Sequence, residues 1–145
     1  TWDFPIILVT MGSKPSTQYM RSLLPRTVEL RASIHNLAGL ASLIHAVINR
    51  DLDLLGMSIE MDELVTPYRA KAYDHLRHVK ETLHRHGALG VALSGSGPSV
   101  FGVFREEPCI ECIRRELGGA SVMLTRPSNV GAIEVECPSE FMGAP

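Results

Sequence analysis

Leu89-Gly90-Val91-Ala92-Leu93-Ser94-Gly95-Ser96-Gly97-Pro98-Ser99-Val100-Phe101-Gly102-Val103-Phe104 decides the fold. Leu89–Leu93 and Ser99–Phe104 are short apolar runs with β-branched and aromatic residues, so both read as strands. Only five residues, Ser94 to Pro98, join them. A connection that short favours antiparallel pairing, because a parallel pair needs a crossover of a dozen residues or more.

Outward from this hairpin, Phe4–Val9 is another continuous apolar run and reads as a buried strand. Val122–Leu124 and Ala132–Val135 are two further candidates. Thr17–Leu24 is a short helical stretch closed by Pro25. From Val28 to Asn49 the pattern is helical: Leu30, Ile34, Leu37, Ala41, Ile44 and Ile48 recur at spacings of three and four. Leu40, Leu43 and Val47 form a second stripe, and a face this wide implies burial on more than one side. Asp51 to about Leu64 reads as a helix weakened by Gly56. Thr66–His86 reads as one helix, capped by Thr66, with Pro67 at its first position and Gly87 as its C-cap. Ala72, Leu76, Val79 and Leu83 mark its core side. Pro108–Leu117 is a last helix, ended by Gly118-Gly119, and Pro138–Pro145 reads as a tail. The order predicts an α+β fold, an antiparallel sheet with helices packed on one face.

The chain has 145 residues, 45% of them hydrophobic and 21% charged, with a net charge of −2. That is the size of one domain, residues 1–145, with enough chain to bury a core. The near-neutral balance argues against nucleic acid as a partner. No apolar run approaches the roughly 20 residues of a membrane span. The chain starts at Thr1 rather than Met and shows no leader, which reads as a piece of a larger fold or a processed chain. Three cysteines, Cys109, Cys112 and Cys137, fit a reducing cytosol better than a disulfide framework, and point to a cytoplasmic protein. The Cys109–Cys112 spacing lacks the second pair a zinc site needs. His75, His78, His84 and His86 lack complementary ligands and read as a wet helix face, so no metal site is expected.

Three segments carry candidate chemistry. Ser94–Pro98 is either a plain hairpin turn or a loop whose successive amides cradle a phosphate. Arg69, in the first turn of its helix, sits where the dipole is already positive. It is either an anion site for a carboxylate or phosphate, or a surface arginine paired with a carboxylate. Ser16–Pro25 brings hydroxyls and Arg21 to a strand exit, as binding loops and plain connections both do.

Together these segments resemble the homoserine kinase family of the galactokinase, homoserine, mevalonate and phosphomevalonate (GHMP) kinase superfamily. Gly87–Phe101 is similar to the superfamily's third, glycine-rich motif. Ser16-Thr17 with Arg21 and Leu24-Pro25, His35–Ala38, Pro67-Tyr68-Arg69 and Thr125–Pro127 resemble further segments of that family. The resemblance spans residues 4–135. It implies the ferredoxin-like C-terminal domain of a two-domain enzyme, with ATP and Mg²⁺ as cofactors and L-homoserine phosphorylated to O-phosphohomoserine in threonine biosynthesis. It implies that Arg21 and Arg69 hold the substrate carboxylate and that Thr17 lines the same pocket. Gly95, Ser96 and Gly97 would shape the nucleotide-phosphate end. No residue is implied as catalytic.

Met20 and Thr66 depart from the family's usual residues. The family's Pro-x-x-x-Gly-Leu-Gly-Ser-Ser-Ala phosphate loop has no counterpart here, so this chain alone is expected to be inactive, with an N-terminal half or subunit as partner. Another GHMP kinase, such as the one acting on diphosphocytidyl-methylerythritol, and a stand-alone amino-acid-binding domain are the alternatives. The apolar helices leave room for a homodimer surface.

Overall fold

The computed structural model describes residues 2–131. Four strands form one antiparallel sheet: β1 (Ile6–Thr10), β2 (Ala88–Leu93), β3 (Ser99–Phe104) and β4 (Ser121–Thr125). Their spatial order is β2-β3-β1-β4. The first strand is therefore an inner one, pairing Thr10 with Ser99 on one side and with Ser121 on the other. The expected strand over 132–135 and the tail over 138–145 lie outside the described residues.

Six helices complete the α+β fold: α1 (Thr17–Ser22), α2 (Leu30–Asn49), α3 (Leu52–Ile59), α4 (Thr66–Arg69), α5 (Leu76–Arg85) and α6 (Ile110–Glu116). Alternation along the strands sends Ile7, Val9, Val91, Val100 and Val122 to one face. There they join Leu76, Val79 and Leu83 of α5, Ile113 of α6 and Met20 of α1 in the main core. Ile6, Phe101 and Val103 point to the other face, where Leu43 and Ala46 of α2 and Leu55 of α3 meet them beside Phe4. So α2 and α3 add a second helical layer at the β2–β3 end.

That second layer depends on two glycines. A Cβ on Gly90 of β2 would lie 2.0 Å from the Gly56 carbonyl oxygen, and one on Gly56 would lie 2.6 Å from the Leu89 backbone. Gly56 therefore does more than weaken α3; it lets the helix backbone touch the strand.

Several local expectations are corrected. The helix expected to run to Leu64 ends at Ile59. Beyond it the Glu60 carboxylate turns back to accept a 2.7 Å bond from the Val91 amide. Thr66 does not cap α4. Asp62 collects the amides of Leu64, Val65 and Thr66 and the Thr66 hydroxyl, at 2.7–3.0 Å. The helix expected over Thr66–His86 is interrupted: α4 runs into a 3-10 turn at Ala70–Ala72, and Tyr73 is extended before α5 begins. Gly87 does adopt a left-handed backbone (φ +94°) past the end of α5.

Cys109 and Cys112, expected as thiols, are joined in a disulfide. Cys109 sits at the N-cap of α6 and Cys112 one turn on, which brings their Cα atoms within 5.2 Å, inside bridging range. Among the described residues, the long helix α2 is not buried on two sides. Its large residues Leu30, Ile34, Leu37, Ile44 and Ile48 are exposed, while Gly39 and Ala46 are the buried ones. Small residues face inward because α2 lies close to its neighbours: a Cβ on Gly39 would lie 2.8 Å from that of Met61. No helix among the described residues is long and apolar enough to cross a membrane.

Candidate functional site

The β2–β3 connection closes as a tight turn, with Ser94 N–H donating to Ser99 O (2.8 Å) and Gly97 N–H to Ser94 O (3.0 Å). Gly95 and Gly97 both have positive φ, +58° and +80°, and the Gly97–Pro98 peptide is cis. The Gly95 and Ser96 amides have no hydrogen-bond partner among the described residues, whereas the carbonyls of the same two residues are taken. Arg69 Nη1 donates to Gly95 O at 2.8 Å, and the Tyr73 hydroxyl donates to Ser96 O at 2.7 Å. The connection is thus a hairpin turn, and two of its amides are without partners among the described residues.

Arg69 occupies the last position of α4, where a cation suits the helix dipole, not the first turn of a long helix. With Nη1 on the loop, Nε is buried without a partner. Nη2 likewise makes no hydrogen bond among the described residues, so the Nε–Nη2 edge of the guanidinium is unspent. That edge carries two parallel donors, the geometry that matches a carboxylate or phosphate.

Tyr73 is the residue that sequence reasoning missed here. Its ring lies against the loop so closely that a Cβ on Gly97 would come within 2.5 Å of it. Burial raises the phenol above its usual range, and the Arg69 charge opposes that only in part. The group therefore stays a neutral donor. No Gly or Pro in Ala70-Lys71-Ala72-Tyr73 announces the break that aims Tyr73 at the loop. His75, which tilts toward Tyr73 at 5.9 Å between ring centroids, has a buried Nε2 without a partner.

Thr17 and Arg21 lie on α1, which Ser16 caps through a 3.1 Å bond from Tyr19 N–H. They are four residues apart and so share one side of the helix. Both are exposed, and the Arg21 guanidinium has no partner among the described residues. Between them Met20 is buried in the same core cluster as Tyr73. The structure thus joins Arg69, Gly95, Ser96 and Gly97 directly. Thr17 and Arg21 make no hydrogen bond to that group among the described residues; their helix shares with it only the main core, through Met20.

Asn36, in the His35–Ala38 segment, donates to Asp62 (3.2 Å) and accepts from Glu63 N–H (2.9 Å), fastening α2 to the loop before α4. Burial alone would raise the Asp62 carboxyl, but the bonds from Thr66, Asn36 and Val65 outweigh it and hold it below the usual range. Arg126 pairs with Asp3 (3.1 Å) and with Glu107, which binds the chain's start to the end of β4. Among the described residues no cluster of three His, Cys, Asp or Glu is placed to hold a metal ion.

The four-stranded sheet and its helices have known relatives. The profile of the GHMP kinases' C-terminal domain matches residues 43–120, more than half the chain. The chain belongs to the GHMP kinase family. A homoserine kinase of Methanococcus vannielii is 31% identical over 126 residues, covering 86% of this chain and 41% of that protein. One of Moorella thermoacetica is 37% identical over 107 residues, covering 71% and 36%. The crystal structure of a homoserine kinase from Cytophaga hutchinsonii superposes with a TM-score of 0.78 at 22% identity, over 86% of this chain and 42% of that one, which shows the shared fold. The chain spans about two fifths of the length of these GHMP kinases. Arg69 and the 94–98 loop fall inside the family match; Thr17 and Arg21 precede it.

Proposed function

We propose that this chain is the C-terminal part of a homoserine kinase, which phosphorylates the L-homoserine hydroxyl to O-phosphohomoserine. The observation that carries the reading is Arg69, pinned to the glycine loop through one nitrogen while its two-donor edge stays unspent. Relatives that are homoserine kinases support the substrate.

In this reading Arg69 takes the substrate carboxylate on that edge, and Arg21 adds a second guanidinium from α1. Thr17 lines the same pocket. Gly95, Ser96 and Gly97 close the phosphate end, where the two unpartnered amides suit an anion. ATP, when bound, supplies the phosphoryl group, which leaves ADP as the hydroxyl oxygen bonds to phosphorus and its proton is released. Positioning and charge neutralisation dominate such transfers, and this chain's residues position the acceptor. No residue described here is assigned to Mg²⁺. An N-terminal half or subunit supplies the phosphate loop.

The test is homoserine-dependent ADP release by this chain together with a domain bearing that loop. Arg69→Ala should weaken homoserine use by about 2–5 kcal/mol, the range for truncating one partner of a buried charged pair. Unchanged homoserine kinetics in that variant would remove Arg69 from the site. Turnover of diphosphocytidyl-methylerythritol in place of homoserine would replace the substrate, and homoserine binding without ADP release would make this a binding domain.

A further inference from the structure

The bond between Cys109 and Cys112 has no part in the site around Arg69. The glycine loop leads into β3 at Ser99, whereas the cysteines follow from the other end of that strand, past Phe104. The length of β3 separates the two places.

Nor does the bond act as a staple. A disulfide stabilises most when it closes a long loop of the unfolded chain, and this one spans a single helical turn. The backbone already closes that turn, since Ile113 N–H donates to Cys109 O at 3.1 Å. Ile113 of α6 and Leu117 just past its end are buried in the main core, and Arg114 Nη2 donates to Val122 O of β4 at 3.0 Å. These contacts remain when the sulfurs part. The Cys112 amide also donates to Cys109 Sγ at 3.3 Å, and a thiolate at Cys109 is a better acceptor than a bridged sulfur. The start of α6 is therefore capped in either state.

The two cysteines are unequal in access. Cys109 is exposed and Cys112 half-buried. Exposed disulfides are the labile ones, because exchange requires a thiolate to reach a sulfur. We propose that Cys109 and Cys112 form a reversible thiol–disulfide exchange site for a dithiol, with Cys109 as the sulfur attacked. A thiolate of the dithiol bonds to Cys109 Sγ as the bond to Cys112 breaks, and Cys112 Sγ leaves with the electron pair and takes up a proton. The dithiol's second thiolate then attacks its own sulfur in the mixed disulfide, which closes the dithiol's disulfide and releases Cys109 as a thiol. The chain gains two electrons and two protons, and the dithiol is oxidised. The site is independent of the substrate proposed above.

The test follows one peptide. Trypsin cuts after Arg105 and Arg114, so peptide 106–114 carries both cysteines without Cys137. The native chain is treated with dithiothreitol, alkylated, digested and weighed by mass spectrometry. The peptide should pass from bridged to doubly alkylated within about tenfold of the rate in urea, with unchanged circular dichroism. Oxidised glutathione, added once dithiothreitol is removed, should restore the bridge. In Cys112→Ser, Cys109 should form a mixed disulfide with oxidised glutathione at about ten times the rate of Cys112 in Cys109→Ser, or faster. A bridge that opens only when the chain unfolds would overturn the proposal, as would loss of the fold on reduction. Equal reactivity of the two single-cysteine variants would overturn the assignment of Cys109.

Discussion

The Tyr73 hydroxyl donates a 2.7 Å hydrogen bond to the Ser96 carbonyl across 23 residues of sequence, and its ring carries the Gly97 side of the same loop. One aromatic residue therefore fixes the glycine loop at two points, while Met20 holds α1 against the same cluster. Tyr73→Phe keeps the ring and loses the bond. It should cost about 1 kcal/mol in urea unfolding and speed amide exchange in 94–97. A variant with unchanged exchange there would show that the hydroxyl does not hold the loop.

The two glycines flanking Ser96 should respond differently. A Cβ on Gly95 meets nothing within 4 Å, so Gly95→Ala should cost only left-handed backbone strain, about 1–2 kcal/mol. Gly97→Ala carries the same strain and also drives a methyl into the Tyr73 ring, adding about 1–3 kcal/mol of overpacking. Thermal denaturation of the pair should rank Gly97→Ala clearly below Gly95→Ala; equal melting temperatures would refute the tight ring contact.

Contact between α3 and β2 is backbone on backbone, so nothing there can swing aside. Gly90→Ala should lose about 3 kcal/mol or more, or fail to fold. Gly118→Ala, which meets nothing within 4 Å, is the matched control and should remain close to wild type. Comparable expression and stability for the two variants would contradict the close approach of α3.

Asp62 gives the chain an acid-sensitive joint. Its folded-state pKa lies below its unfolded one, so its contribution is complete above the unfolded value and is lost as pH falls through the folded one. Stability from this source should hold level down to about pH 4 and decline below it. Asp62→Asn should cost about 1–2 kcal/mol at pH 7, as loss of a helix cap does, and should flatten the decline. Parallel acid titrations of wild type and variant would refute the assignment.

Much of this architecture was legible from residues close in sequence. The strands were marked by β-branched runs, the hairpin by its five-residue connection, and the end of α5 by Gly87. Tyr73 was not legible, because the break before α5 is made by bonds to a loop 23 residues away. Asp62 escaped notice for a related reason: Thr66-Pro67 already had the appearance of a helix start. The exposure of α2 depended on which of its sides carried the small residues, and a wide apolar pattern reads alike either way. Of the candidate site, the glycine loop and Arg69 stood out as segments. Their direct bond did not, since spacing says nothing of which donor meets which carbonyl.

The sheet's order has a consequence for how the chain assembles. Strand β1 is made before the other three strands of the sheet, yet its partners are Ser99–Phe104 and Ser121–Thr125, and the Thr10–Ser99 hydroxyl contact alone closes a span of 89 residues. Pairings this distant cost loop entropy before they return any contact energy, which slows folding. As the polypeptide leaves the ribosome, α2 and α3 can associate early, while Ile6–Thr10 waits with both edges bare. Of the sheet's described strands, the inner one is thus left longest without its neighbours, and it is there that a stalled product would expose a template for aggregation.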